Sequence, residues 1–185
     1  MSKFFQSHDS KEFAGEGKFY RLEQGENIVR ILSVPVHFLS VFMGKGVAPQ
    51  IMKSTKEIPE GKDATHRFMM YVWDYKAECI KQAEFGVSII NALSDLSIGE
   101  AYGFKGDLPP YDIIVMKKGE GMETRYTVTP GRNEDKMTKE VLDELASLPT
   151  SEEIKEKKYS EQNPGKPEFN PNATEEEVEE EIKNM

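Results

Sequence analysis

The chain has 185 residues with 24 Lys+Arg against 33 Asp+Glu, a formal net charge of −9. That length suits one domain with extensions or two small domains. Hydrophobic residues make up 37%, low for a chain packed throughout. The one cysteine, Cys79, excludes an intrachain disulfide and argues against a secreted scaffold. No apolar run approaches the roughly 18 residues of a membrane span. The N-terminal MSKFFQSHDSKEF has no stretch of signal-peptide type. A soluble cytoplasmic protein is expected.

The charge is unevenly spread. Residues 1–133 hold 17 Lys+Arg and 17 Asp+Glu, whereas 134–185 hold 7 and 16. The acidic excess lies in the C-terminal part, so an acidic total does not exclude a nucleic-acid partner for the neutral body.

In chain order, residues 1–26 mix aromatics with Lys, Glu and Gly and read as an arm. NIVRILSV (27–34) and HFLSVFM (37–43) read as strands interrupted by Pro35. Residues 44–65 read as a long loop or irregular hairpin. HRFMMYVWDY (66–75) is the strongest strand signal. Ile80, Ala83, Val87, Ile90 and Leu93 recur at spacings of three and four, which predicts a helix over 77–96. YDIIVMK (111–117) and TRYTVT (124–129) predict a hairpin, with Gly119 and Gly121 in the turn. Residues 138–148 read as a short helix, and 150–185 as a disordered acidic tail. The expected division is therefore an arm (1–26), a β body (27–133), a short helix (134–149) and the tail (150–185). Three strands, a helix and two strands give the order of a five-stranded OB-fold barrel.

Alternation along 66–75 puts Arg67, Met69, Tyr71, Trp73 and Tyr75 on one face, and His66, Phe68, Met70, Val72 and Asp74 on the other. The second set reads as core. Three rings beside a cation make a stacking platform for single-stranded nucleic acid, each base contributing about 1–3 kcal/mol. The other reading buries both faces under the N-terminal arm or a partner. Lys117, Lys118 and Arg125 surround the hairpin turn and can neutralise phosphates, or simply keep a sheet edge solvated. Lys45, Lys53, Lys56 and Lys62 in the long loop can track a phosphate backbone, or serve as solubility charges among Glu57, Glu60 and Asp63. The terminal TEEEVEEEIKNM is either a solubilising tail or a nucleic-acid mimic that competes for the basic face and recruits partners.

Enzyme signatures are scarce in the sequence, and an enzyme such as a metal-dependent nuclease using acidic pairs is a distant third reading. His8, His37 and His66 lack metal-ligand spacing, and a lone cysteine gives no zinc knuckle. GKGVAPQ and KKGEGMET do not follow the phosphate-loop pattern. Asp74, Asp107 and Asp112 read as strand-end and turn residues. No catalytic residue, metal or cofactor is expected.

GENIVRIL, HRFMMYVWDY, IKQAEFGVSIINALSDL and above all PPYDIIVMKKGEGMETRYTVTPG resemble the single-stranded DNA-binding proteins of tailed bacteriophages. The resemblance covers residues 25–130, and the acidic tail agrees with that family's layout. It implies an OB-fold body that binds single strands during phage replication, recombination and repair in the bacterial host cytoplasm. It implies a tail that docks polymerase, helicase-primase or recombinase, and it makes Tyr71, Trp73, Lys117, Lys118 and Arg125 candidates for DNA contact. Some relatives hold a zinc ion through Cys and His, which this chain cannot do. Some end in an aromatic residue, where this chain ends Lys183, Asn184, Met185. The expectation is a non-enzymatic protein, with possible self-association and no membrane partner. The rival expectation is an OB-type adaptor that binds protein and no nucleic acid.

Overall fold

A computed structural model of the chain describes residues 18–133 and 135–164. The protein is mainly β, with an open, mixed sheet of eight strands among these residues. It divides into two compact units, one built from residues up to His37 and from Arg67–Ser151, the other from Phe38–His66 and from Glu152 onward.

The first unit carries the ribbon β1-β6-β5-β2-β7-β8. Its strands are β1 (Phe19–Tyr20), β2 (Gly25–Ile31), the Arg67–Asp74 portion of β5 (Ala64–Asp74), β6 (Cys79–Gly86), β7 (Ile113–Lys118) and β8 (Arg125–Pro130). Neighbours on the ribbon are antiparallel, except that β1 runs parallel to β6. Helix α1 (Val87–Ile98) follows β6 and turns Ile89 and Leu93 inward. The core gathers Val29 and Ile31 of β2, Met70 and Val72 of β5, Ala83 and Phe85 of β6, and Ile113 and Val115 of β7. Alternation explains this choice, because every second side chain of a strand faces the same way.

In the first unit the sequence expectation differs at three places. Residues 79–86 are strand, although they were expected to be helical, and the helix begins only at Val87. Eight cross-strand partners, from Arg67↔Gly86 to Asp74↔Cys79, override the local three-four spacing. Second, β1 lies along β6, so part of the expected arm belongs to the sheet. Third, a closed five-stranded barrel is not seen; among the described residues β8 pairs with β7 alone.

After β8 the chain forms a strap, described at residues 131–133 and 135–150, containing helix α2 (Lys139–Ser147). Thr138 caps α2, its hydroxyl accepting from the Val141 amide. The start of the strap is fixed by a buried ion pair. Arg30 Nε donates to Asp112 Oδ1 at 2.7 Å, both side chains being less than a tenth exposed. Its other nitrogens donate to the Asp135 carbonyl (Nη1) and the Asn133 carbonyl (Nη2), each at 2.9 Å. Tyr75 Oη donates to the same Asp112 oxygen at 2.7 Å. Gly131 sits so close that a β-carbon there would lie 2.9 Å from Asp112 Cβ. The strap's far end is tied by Tyr71, whose hydroxyl donates to the Pro149 carbonyl at 2.8 Å.

In the second unit β3 (Val36–Val41) pairs with β4 (Gln50–Met52), followed by a 3-10 turn at Thr55–Glu57. Leu39, Val41 and Met52 form its core. Helix α3 (Ser151–Gln162) occupies a stretch expected to be disordered. It is held by Tyr159, 3% exposed, whose hydroxyl donates to Glu57 Oε1 at 2.7 Å. Gln162 adds a second attachment, accepting from the Ile51 amide at 2.8 Å and donating to the Pro49 carbonyl at 3.1 Å. The remainder of the expected tail, 165–185, and residues 1–17 of the expected arm lie outside the described residues.

Removing Arg30 leaves Asp112 buried without its cation. Arg30→Met should therefore lose about 3–5 kcal/mol in urea denaturation. A loss below about 1 kcal/mol would show that the pair does not hold the strap.

Candidate nucleic-acid interface

The β7–β8 hairpin sets its two outermost cations directly across from each other, Lys118 opposite Arg125. Both are exposed. Among the described residues neither enters an ion pair or a side-chain hydrogen bond. Like charges at directly opposed positions repel, and an anion placed between them relieves that repulsion. The turn that sets them there depends on Gly119, which has φ +81°. A β-carbon at that position would meet the Glu123 carbonyl oxygen at 2.5 Å. The same face of the hairpin continues through Met116 and Thr127, partners in register. Met122 at the turn is fully exposed. The third expected cation, Lys117, is occupied differently. Its Nζ donates to the Leu22 carbonyl at 3.1 Å, and it faces Tyr126 across the ladder.

The aromatic row of β5 is divided by its surroundings. Arg67 is exposed. Met69 is fully buried, Tyr71 is 7% exposed, and Trp73 is half-buried. Both faces of β5 are thus covered from Met69 to Val72, and the Pro149 end of the strap is what meets the Tyr71 hydroxyl. Trp73 stands opposite Arg30 on β2 and Ile80 on β6. Tyr75 is half-buried. Burial, together with its hydrogen bond to Asp112, pushes its phenol up to about 12. It acts as a donor to that carboxylate.

The loop lysines belong to the second unit. Lys45 sits exposed at the β3–β4 hairpin tip between Gly44 and Gly46, both at positive φ. Lys62 and Lys56 are exposed. Lys53 differs, with its Nζ 4.8 Å above the Tyr159 ring in a cation–π contact. Desolvation and the Glu57 hydrogen bond hold the Tyr159 phenol far above its ordinary value. The structure brings Lys118 and Arg125 together, and in the first unit it sets Trp73 beside Arg30.

Sequence reasoning missed Arg30 and the exposed apolar tips. Arg30 carried a signal, as a lone cation inside a β-branched run. Phe42 and Val47, 64% and 53% exposed, flank Lys45 on its hairpin and were hidden in a segment read as strand end and loop. Asp112 is more than a strand-end residue, since it is the buried partner of Arg30. Asp74 does serve the β5–β6 turn. Its Oδ1 accepts from the Lys76 amide at 2.9 Å, and its Oδ2 receives Lys81 Nζ at 2.7 Å. Burial opposes its charge, but these bonds outweigh burial and hold the carboxyl below its ordinary 3.8.

No group of three or more His, Cys, Asp or Glu among the described residues is arranged to hold a metal ion. No described helix is long and apolar enough to cross a membrane. No protein-family model, curated protein or solved structure matches the chain.

The Asp74 shift has a definite sign. Its folded value is depressed, so the stability it contributes is present above 3.8 and is lost as pH falls through the lower folded value. Urea denaturation at about pH 5 and about pH 3 should show a steeper acid loss for the native chain than for Asp74→Asn. Equal losses would remove Asp74 as a source of acid sensitivity.

Proposed function

We propose that the protein binds single-stranded DNA without strong sequence preference, through an OB-type barrel left open between β1 and β8. The observation that carries this reading is the Lys118–Arg125 pair, held face to face at a glycine turn and in no ion pair among the described residues. The connectivity supports it. Strand pairs β2–β5, β5–β6, β2–β7 and β7–β8, with α1 between β6 and β7, are consistent with a Greek-key barrel of this class. Fold alone does not fix function, so the weight rests on the charges.

In this reading, Lys118, Arg125 and Arg67 capture the phosphate backbone. Trp73 supplies a ring for stacking, since every base presents a π-face. The second unit, taken by itself, exposes Lys45 and Lys62, cations able to meet phosphates. The protein acts by covering and protecting strands during phage replication, recombination and repair. Its acidic C-terminal residues recruit the replication proteins and compete with DNA. No chemical step is assigned to it.

Titration with a dT oligomer at rising salt should give a steep, linear fall of log affinity against log salt, with a change in Trp73 fluorescence. Substituting both Lys118→Gln and Arg125→Gln should lower that slope by about 1.4, or about 0.7 per lost phosphate contact on a single strand. Binding that ignores salt would favour the adaptor reading. Absence of binding at low salt would overturn the proposal.

A further inference from the structure

The outer face of the first unit holds a set of groups suited to nucleic acid, and the chain's own strap touches several of them. Trp73 and Arg30 are cross-strand partners, as are Tyr71 and Gln82. The Leu32 amide bonds the Tyr71 carbonyl at 2.9 Å, which brings β2 alongside that pair. Two rings, a guanidinium and an amide therefore lie side by side. The strap bonds two of them, Arg30 through the Asn133 and Asp135 carbonyls and Tyr71 through the Pro149 carbonyl.

We propose that the strap is a reversible lid over this face, and that its release exposes Tyr71 and Trp73 to bases and frees two nitrogens of Arg30 for a phosphate. The proposal rests on the single-stranded DNA reading and names how that site is regulated.

Four features support release. The strap's acceptors to Arg30 are neutral carbonyls, and a phosphate offers charged oxygens in a geometry that suits a guanidinium. Arg30 keeps its Nε bond to Asp112 meanwhile, so the side chain stays in place. Second, the lid is shallowly seated. Val141 is the one buried residue of α2, and Leu142 is 49% exposed. A nine-residue helix is too short to persist in water once its contacts are gone. Such weakly packed segments open locally without global unfolding.

Third, the closed face leaves a buried donor unused. Gln82 is 7% exposed, and among the described residues its Nε2 has no hydrogen-bond partner. That penalty falls on the closed state and is removed by an acceptor brought by a ligand. Fourth, the lid is acidic, with four Asp or Glu against two Lys between Asp135 and Leu148. Incoming phosphates repel it, and while closed it keeps anionic charge beside the site.

A lid closed about nine-tenths of the time lowers apparent affinity about tenfold. The test uses the full chain carrying Val141→Ser and Leu145→Ser, which loosen α2 without touching the face. Titrated with a dT oligomer at fixed salt, this variant should bind about tenfold more tightly than the native chain. Equal affinity would overturn the lid. Hydrogen exchange on the native chain provides a second readout should the variant fold poorly. Amides of Lys139–Ser147 should exchange faster when the oligomer is bound. Unchanged or slower exchange would mean that the strap stays down. Native and variant chains that both fail to bind dT would overturn the DNA reading itself, an outcome distinct from binding that ignores the strap.

Discussion

The first unit depends on a cation placed where a sheet ordinarily carries an apolar residue. Arg30 lies in β2 between Val29 and Ile31, both buried in the core, and its own side chain is turned to the opposite face. Desolvating a guanidinium there is tolerable because each of its three nitrogens donates a hydrogen bond. Asp112 supplies the countercharge, and the carbonyls of Asn133 and Asp135 take the remaining nitrogens. The same carboxylate receives Tyr75, and the Asp112 carbonyl receives the Gly131 amide at 2.7 Å. One ion pair thus joins β2, the end of β5, the start of β7 and the exit from β8. The strap's direction follows from it, and with that direction the state of the whole outer face.

What could be read from the amino acids was whatever depended on near neighbours. β2, β5, β7 and β8 appear close to their expected positions because alternation and the Gly119–Gly121 turn are local signals. β6 was hidden for a physical reason. Ile80, Ala83 and Val87 satisfy a helical spacing, while the strand is imposed by a partner that the periodicity cannot see. The turn leading into β6 gave no warning either, because Glu78 takes the positive φ of 51° where Gly or Asn would have marked it. α3 was missed because its hold comes from Tyr159 and Gln162 reaching across to Glu57, Ile51 and Pro49, and not from a continuous apolar stripe.

The candidate site divides along the same line. The Lys118–Arg125 pair was legible, since a short hairpin fixes its own register. The state of Tyr71 was not. Its hydroxyl meets Pro149, 78 residues along the chain, and no pattern within β5 encodes that encounter. Alternation placed Arg67, Tyr71 and Trp73 on one face. Whether that face meets solvent was decided by a segment from elsewhere.

The Arg30 clamp also imposes an order in time. Its bonds to Asn133 and Asp135 join positions 103 and 105 residues apart. They cannot form until the chain has been synthesised past Asp135, whereas the β5–β6 hairpin pairs residues close in sequence and can assemble earlier. A chain still emerging from the ribosome therefore carries its ring-bearing strand without the strap, and the Tyr71 hydroxyl without its Pro149 partner. The finished molecule begins its life by covering a surface that its own synthesis had left bare.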